Sequence, residues 1–130
     1  MSLEIYQQQI IDRYKNPINS GIISDADVIS KDYNPSCGDI IEIQIKFDDE
    51  KIYEIKFQGQ GCAISQGSVD ILIDLVKNKD VTFVKDLATE NFIKILGIEL
   101  SPIRLKCALL GVKALKTAVY TYLGTTRIDL

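Results

Sequence analysis

Two runs of strict alternation, residues 39–47 and 52–58, constrain this chain more than any other feature. In the first, Ile41, Ile43, Ile45 and Phe47 fall on one side and Glu42, Gln44 and Lys46 on the other. That period of two marks a half-buried strand. In the second, Tyr53, Ile55 and Phe57 form the apolar side. The polar stretch Asp48-Asp49-Glu50-Lys51 joins the two runs as an antiparallel hairpin. A sheet with one apolar face needs a second layer to cover it.

The flanking segments supply that layer. Residues 3–15 read as an amphipathic helix, with Ile5, Tyr6, Ile10, Ile11 and Tyr14 clustered on the wheel. Asn16-Pro17 ends it, because the residue before proline avoids the helical region. Residues 18–38 are expected to be mostly loop, punctuated by Gly21, Asp25, Asp27, Asn34, Pro35 and Gly38. Residues 63–77 form a helix buried through Ile64, Ile71, Leu72, Leu75 and Val76. One or two short helices follow over residues 81–96 and stop near Gly97. The last helix opens on Ser101 as N-cap and Pro102 as first helical residue, and runs to about Leu123. Its small residues Ala108, Gly111, Ala114 and Ala118 suit close packing on a neighbour. The expected fold is α+β: a small antiparallel sheet of about three strands with helices packed on one face, in a single domain spanning residues 1–130.

Composition removes several functions. The net charge is −3 and no Lys/Arg run is long, so nucleic acid is not an expected partner. No apolar stretch is long enough to span a membrane, and the N-terminus has no secretory pattern. The absence of histidine excludes imidazole as base or ligand. An odd count of three cysteines argues against a disulfide framework and for reduced thiols in the cytoplasm.

Each cysteine stands beside a break in the pattern. Cys37 lies in Asn34-Pro35-Ser36-Cys37-Gly38-Asp39, Cys62 follows Gly59-Gln60-Gly61 and opens a helix, and Cys107 lies in the second turn of the last helix. Cys62 is set at a helix N-terminus, and Cys107 lies near one with Arg104 and Lys106 beside it, positions that favour thiolate. Asp39 adds an oxygen donor two residues after Cys37. Three sulfurs and one oxygen can complete a tetrahedron around zinc or the terminal positions of a [2Fe-2S] cluster. The spacing alone leaves open that all three cysteines are small buried hydrophobes.

The motifs Asn34-Pro35-Ser36-Cys37-Gly38-Asp39, Gly61-Cys62-Ala63-Ile64-Ser65 and Arg104-Leu105-Lys106-Cys107-Ala108 resemble the iron–sulfur scaffold family of IscU, SufU and the N-terminal part of NifU. The resemblance runs from the N-terminal helix to about Leu123. It implies a scaffold or sulfur acceptor rather than a conventional enzyme. Such proteins take sulfur as a persulfide from a cysteine desulfurase, build a labile [2Fe-2S] cluster with iron and pass it to apo iron–sulfur proteins. Many hold Zn2+ at the same ligands. Carried over, the ligands are Cys37, Asp39, Cys62 and Cys107, with Cys37 the first sulfur acceptor and Arg104 and Lys106 in support. Lys106 stands where the IscU branch has histidine, and Arg104-x-Lys106-Cys107 is similar to the SufU branch. The short interval between Cys62 and Cys107 is similar to IscU instead. Leu100-Ser101-Pro102-Ile103-Arg104 departs from the Leu-Pro-Pro-Val-Lys site for an Hsp70-type chaperone, which counts against that partner. The resemblance leaves two alternatives: a zinc-dependent sulfurtransferase partner of the desulfurase, and a structural zinc domain.

Overall fold

The two alternating runs pair as expected, and a third strand joins them. The computed structural model describes residues 2–126; Met1 and residues 127–130 of the expected domain lie outside these. The order is α1 (Ser2–Lys15), β1 (Val28–Asn34), β2 (Asp39–Asp48), β3 (Lys51–Gln60), α2 (Ala63–Val76), α3 (Val81–Lys85), α4 (Thr89–Leu96) and α5 (Pro102–Thr126). The strands form an antiparallel sheet in the order β1-β2-β3. Helices α2 and α5 cover one face of it. Among the described residues no helix is long and apolar enough to cross a membrane.

Ile41, Ile43 and Ile45 are fully buried at the centre of the sheet. They pack with Val69, Leu72, Ile73 and Val76 of α2, Phe92 and Leu96 of α4, and Leu115 and Val119 of α5. The small side of α5 works as the sequence suggests. A Cβ on Gly111 would stand 2.8 Å from Val69 Cγ2, so only glycine lets α2 approach this closely.

Three expectations change. Residues 18–38 are not mostly loop, because Val28–Asn34 is strand β1, paired from Val28↔Ile45 to Asn34↔Asp39. Its inward side carries the buried polar residues Ser30 and Asn34, so the apolar alternation that would announce a strand is missing. Tyr53 is not on the buried face of β3 and is 62% exposed. Lys46 pairs with Glu54 while Phe47 pairs with Ile52, so Tyr53 is the extra residue of a β-bulge. The bulge reverses the phase, and Ile52, Ile55 and Phe57 are the buried set. On α1 only Ile10 of the five clustered apolar residues is buried. That helix packs on α2 along a single line, which leaves Ile5, Tyr6, Ile11 and Tyr14 exposed.

A polar clamp fixes α1 and the segment after it to α2. Fully buried Asp70 accepts from Arg13 (2.9 Å) and from the backbone N–H groups of Ile18 (3.1 Å) and Asn19 (2.8 Å). Arg13 also pairs with Asp74 at 2.5 Å, and Lys77 pairs with Asp74 at 2.9 Å. Burial alone would raise the Asp74 pKa, but hydrogen bonds from Lys77, Asn19 and Arg13 outweigh it and hold the group at about 2. A carboxylate depressed in this way stabilises the fold above its unfolded pKa and loses that contribution as pH falls through the folded value. The stability difference between wild type and Asp74→Asn is therefore expected to be full above about pH 5 and to vanish near about pH 2. Urea denaturation of both proteins across that range checks it.

Candidate metal centre

Two chain reversals and one helix bring the thiols together at the end of the sheet. β1 and β2 are joined by the turn 35–38, in which Cys37 N–H (3.2 Å) and Gly38 N–H (2.9 Å) both donate to the Asn34 carbonyl. Asn34 Oδ1 accepts from Ser36 N–H at 3.2 Å, an Asx turn that shapes the same segment. Cys37 thus stands exposed on a tight hairpin turn, not on a long loop. Asp39, the first residue of β2, points inward and is fully buried.

The next strand ends beside it. Gly61 has φ 141°, and a Cβ there would collide with the Asp39 carboxylate. This glycine lets the chain pass the carboxylate closely enough for Cys62 N–H to donate to Asp39 Oδ1 at 2.9 Å. Cys62 then caps α2, its Sγ accepting from Ser65 N–H at 3.4 Å. Its Sγ lies 3.8 Å from Asp39 Oδ2. Across the site, α5 delivers Cys107, which is buried, with its Sγ 3.2 Å from Cys37 Sγ.

Donor atoms of Cys37, Asp39 and Cys107 all lie within 4.8 Å of one another. Cys62 reaches this group through Asp39 and does not share the same mutual spacing. Arg104 and Lys106 lie at the surface of α5. Both side chains are exposed, and among the described residues neither makes a hydrogen bond or ion pair with a thiol. The expected easing of Cys107 toward thiolate does not occur. Burial pushes its thiol up strongly, and Cys37 and Asp39 add to the rise. Burial decides this: Cys107 turns inward, where desolvation outweighs the exposed cations nearby in the helix.

Residues that the sequence reading left without a role support the donors. The buried Asn34 amide points at Cys107 Sγ from 3.8 Å. Buried Ser65 donates through Oγ to the Cys62 carbonyl, and buried Gln66 links Ser65 to the Ile40 carbonyl. An Asn directly before Pro at the mouth of a turn was the available signal for Asn34. Ser65 and Gln66 gave none, since polar residues inside a helix read as solvent-facing.

The donor types are ones that could hold a metal ion. A buried carboxylate and two thiols converge, with the third thiol against the carboxylate, and among the described residues no Lys or Arg forms an ion pair with Asp39. Two thiolates on a tetrahedral zinc stand about 3.8 Å apart, so Cys37 and Cys107 need part by only about half an ångström.

The chain matches the model of the NifU-like N terminal domain over residues 5–128. It belongs to that family. It is 32% identical over 132 residues to the zinc-dependent sulfurtransferase SufU of Bacillus subtilis, covering 88% of this chain and 89% of that protein. It is 32% identical over 118 residues to the iron–sulfur cluster assembly scaffold protein IscU 1 of Archaeoglobus fulgidus, covering 91% of this chain and 76% of that one. Its fold is similar to the crystal structure of a putative iron–sulfur cluster assembly scaffold protein for the SUF system from Fervidobacterium islandicum. There the TM-score is 0.74 at 32% identity, over 92% of this chain and 99% of that one.

Proposed function

We propose that this member of the NifU-like N-terminal family is an iron–sulfur cluster assembly scaffold. It accepts persulfide sulfur from a cysteine desulfurase and delivers a labile [2Fe-2S] cluster to apo iron–sulfur proteins. The observation that carries the reading is the convergence of Cys37, Asp39 and Cys107 within 4.8 Å, with Cys62 against Asp39. This donor set suits the iron of a growing cluster. The working compartment is the cytoplasm, where thiols stay reduced.

The residues divide the work. Cys37 is the exposed thiol and the one a docked enzyme can reach. Its thiolate attacks the outer sulfur of the enzyme's persulfide; a new S–S bond forms and the enzyme's cysteine leaves as thiolate. Buried Cys107 and half-buried Cys62 hold iron on the protein side. Asp39 is the hard donor among soft ones, and a weaker bond to iron favours release. Asn34 and the Cys62 backbone N–H keep Cys107 and Asp39 in place.

A second reading is the zinc-dependent sulfurtransferase, favoured by the likeness to the Bacillus subtilis protein and by the Arg104-x-Lys106-Cys107 pattern. Cys37, Asp39, Cys62 and Cys107 would hold the zinc, whose charge keeps bound thiols deprotonated.

Anaerobic reconstitution with iron, cysteine and a desulfurase separates the two. The scaffold gives visible cluster absorbance with matched iron and sulfide, and then activates an apo-ferredoxin. Retained zinc, no cluster and a faster desulfurase would replace it with the second reading. Asp39→Cys is expected to retain a reconstituted cluster about tenfold longer than wild type, because a thiolate replaces the hard donor. Equal or faster transfer to apo-ferredoxin would remove the releasing role from Asp39.

A further inference from the structure

Helix α5 carries a one-sided charge that neither the core nor the thiol site uses. Four of the chain's 15 basic residues lie on it and none of its 18 acidic ones. On a chain of net charge −3 this is a local reversal of sign. Lys106, Lys113 and Lys116 stand at i, i+7 and i+10, on one side of the helix. They line a groove whose apolar surface includes Tyr33, Pro35 and Leu109. Tyr33 is 64% exposed there. Among the described residues, Lys113 has one ion pair, to Asp32 at 3.6 Å, and Lys106 and Lys116 have none. A 3.6 Å pair on a largely exposed lysine is weak and easily exchanged.

We propose that this groove docks an acidic, partly apolar segment of a partner protein. The lysines supply long-range attraction and orientation, and the Tyr33–Pro35–Leu109 surface accepts an apolar side chain. Nucleic acid fits less well, because three cations on a net-acidic chain neutralise few phosphates and the floor between them is apolar. The location gives docking a purpose. Asn34 lines the groove and also reaches Cys107 Sγ, so a bound partner stands beside the thiols and leaves Cys37 exposed. The lysines are not donors of the metal centre, so this surface stands or falls independently of what that centre holds.

The test is fluorescence anisotropy with the full chain and a labelled synthetic peptide alternating Glu and Leu. A Ser–Leu peptide and a short DNA duplex serve as comparisons. The Glu–Leu peptide is expected to bind, to weaken about tenfold with Lys113→Glu plus Lys116→Glu, and to weaken again as salt rises. Amide shifts on binding fall on residues 33, 34 and 106–116. Cys37→Ser binds the peptide as wild type does. Equal binding of the Ser–Leu peptide, tighter binding of DNA, shifts elsewhere, or no loss in the charge-reversed variant overturns the proposal. Both lysines lie on the helix surface, and an unchanged circular dichroism spectrum excludes unfolding as the cause of any loss.

Discussion

Cys107→Ser is expected to weaken zinc binding by at least about a hundredfold while leaving the apo-protein folded. Cys107 is the buried anchor of the site, with its Sγ 3.2 Å from Cys37 Sγ and within 4.8 Å of the Asp39 carboxylate. Serine fills the same space with a neutral, hard oxygen that does not deprotonate to hold a soft metal. Burial already pushes the Cys107 thiol up in the absence of a cation, so the apo-site loses little when the sulfur goes. Chelator competition measures the affinity, and circular dichroism follows the fold. Zinc at about a thousandfold above the wild-type dissociation constant should add about 4 kcal/mol to wild type and no more than about 1.4 kcal/mol to the variant. Equal zinc affinity in the two proteins would take Cys107 out of the ligand set. The same experiment tests the structural zinc domain. The core of Ile41, Ile43, Leu72, Phe92 and Leu115 closes without any donor from the metal centre, so chelation should leave wild type folded.

Asp70→Ala is expected to destabilise the protein by about 3–5 kcal/mol. The carboxylate is fully buried and serves three donors: Arg13 and the backbone N–H groups of Ile18 and Asn19. Removing it strands two N–H groups whose water has already been given up and takes from Arg13 one of its two carboxylate partners, leaving Asp74. At about 3–5 °C per kcal/mol for a chain of this size, the melting temperature should fall by roughly 10–20 °C. Thermal unfolding checks the value. A loss below about 1 kcal/mol would mean that water reaches these donors and that the clamp is not closed. The metal centre lies outside this clamp, so folded Asp70→Ala should load metal normally.

Much of the architecture was legible because it rests on local pattern. The hairpin of β2 and β3, the break at Asn16-Pro17, the cap at Ser101-Pro102 and the small side of α5 each follow from a few neighbouring residues. The exceptions share a cause. β1 shows no apolar alternation because Ser30 and Asn34 are polar yet buried, one in the sheet and one at the thiols. The alternation puts Tyr53 on the wrong face because a bulge is a property of paired strands and leaves no mark on one. The inward side of α2 includes the polar residues Ser65, Gln66, Ser68 and Asp70, and Gln66 and Asp70 find partners in other segments.

The thiols divide along the same line. The sequence by itself determined the donor types, their position at a turn, a helix start and a helix interior, and the absence of imidazole. Their neighbours in the chain were enough for that, since turn, cap and helix chemistry act over a few residues. Only the tertiary structure decided that Cys37 and Cys107, 70 positions apart, meet beside Asp39, that Cys107 is buried and Cys37 exposed, and that Arg104 and Lys106 are exposed. Those outcomes depend on how α5 crosses the sheet and which way each side chain turns. Desolvation, unlike helix position, is set by everything that packs around a group.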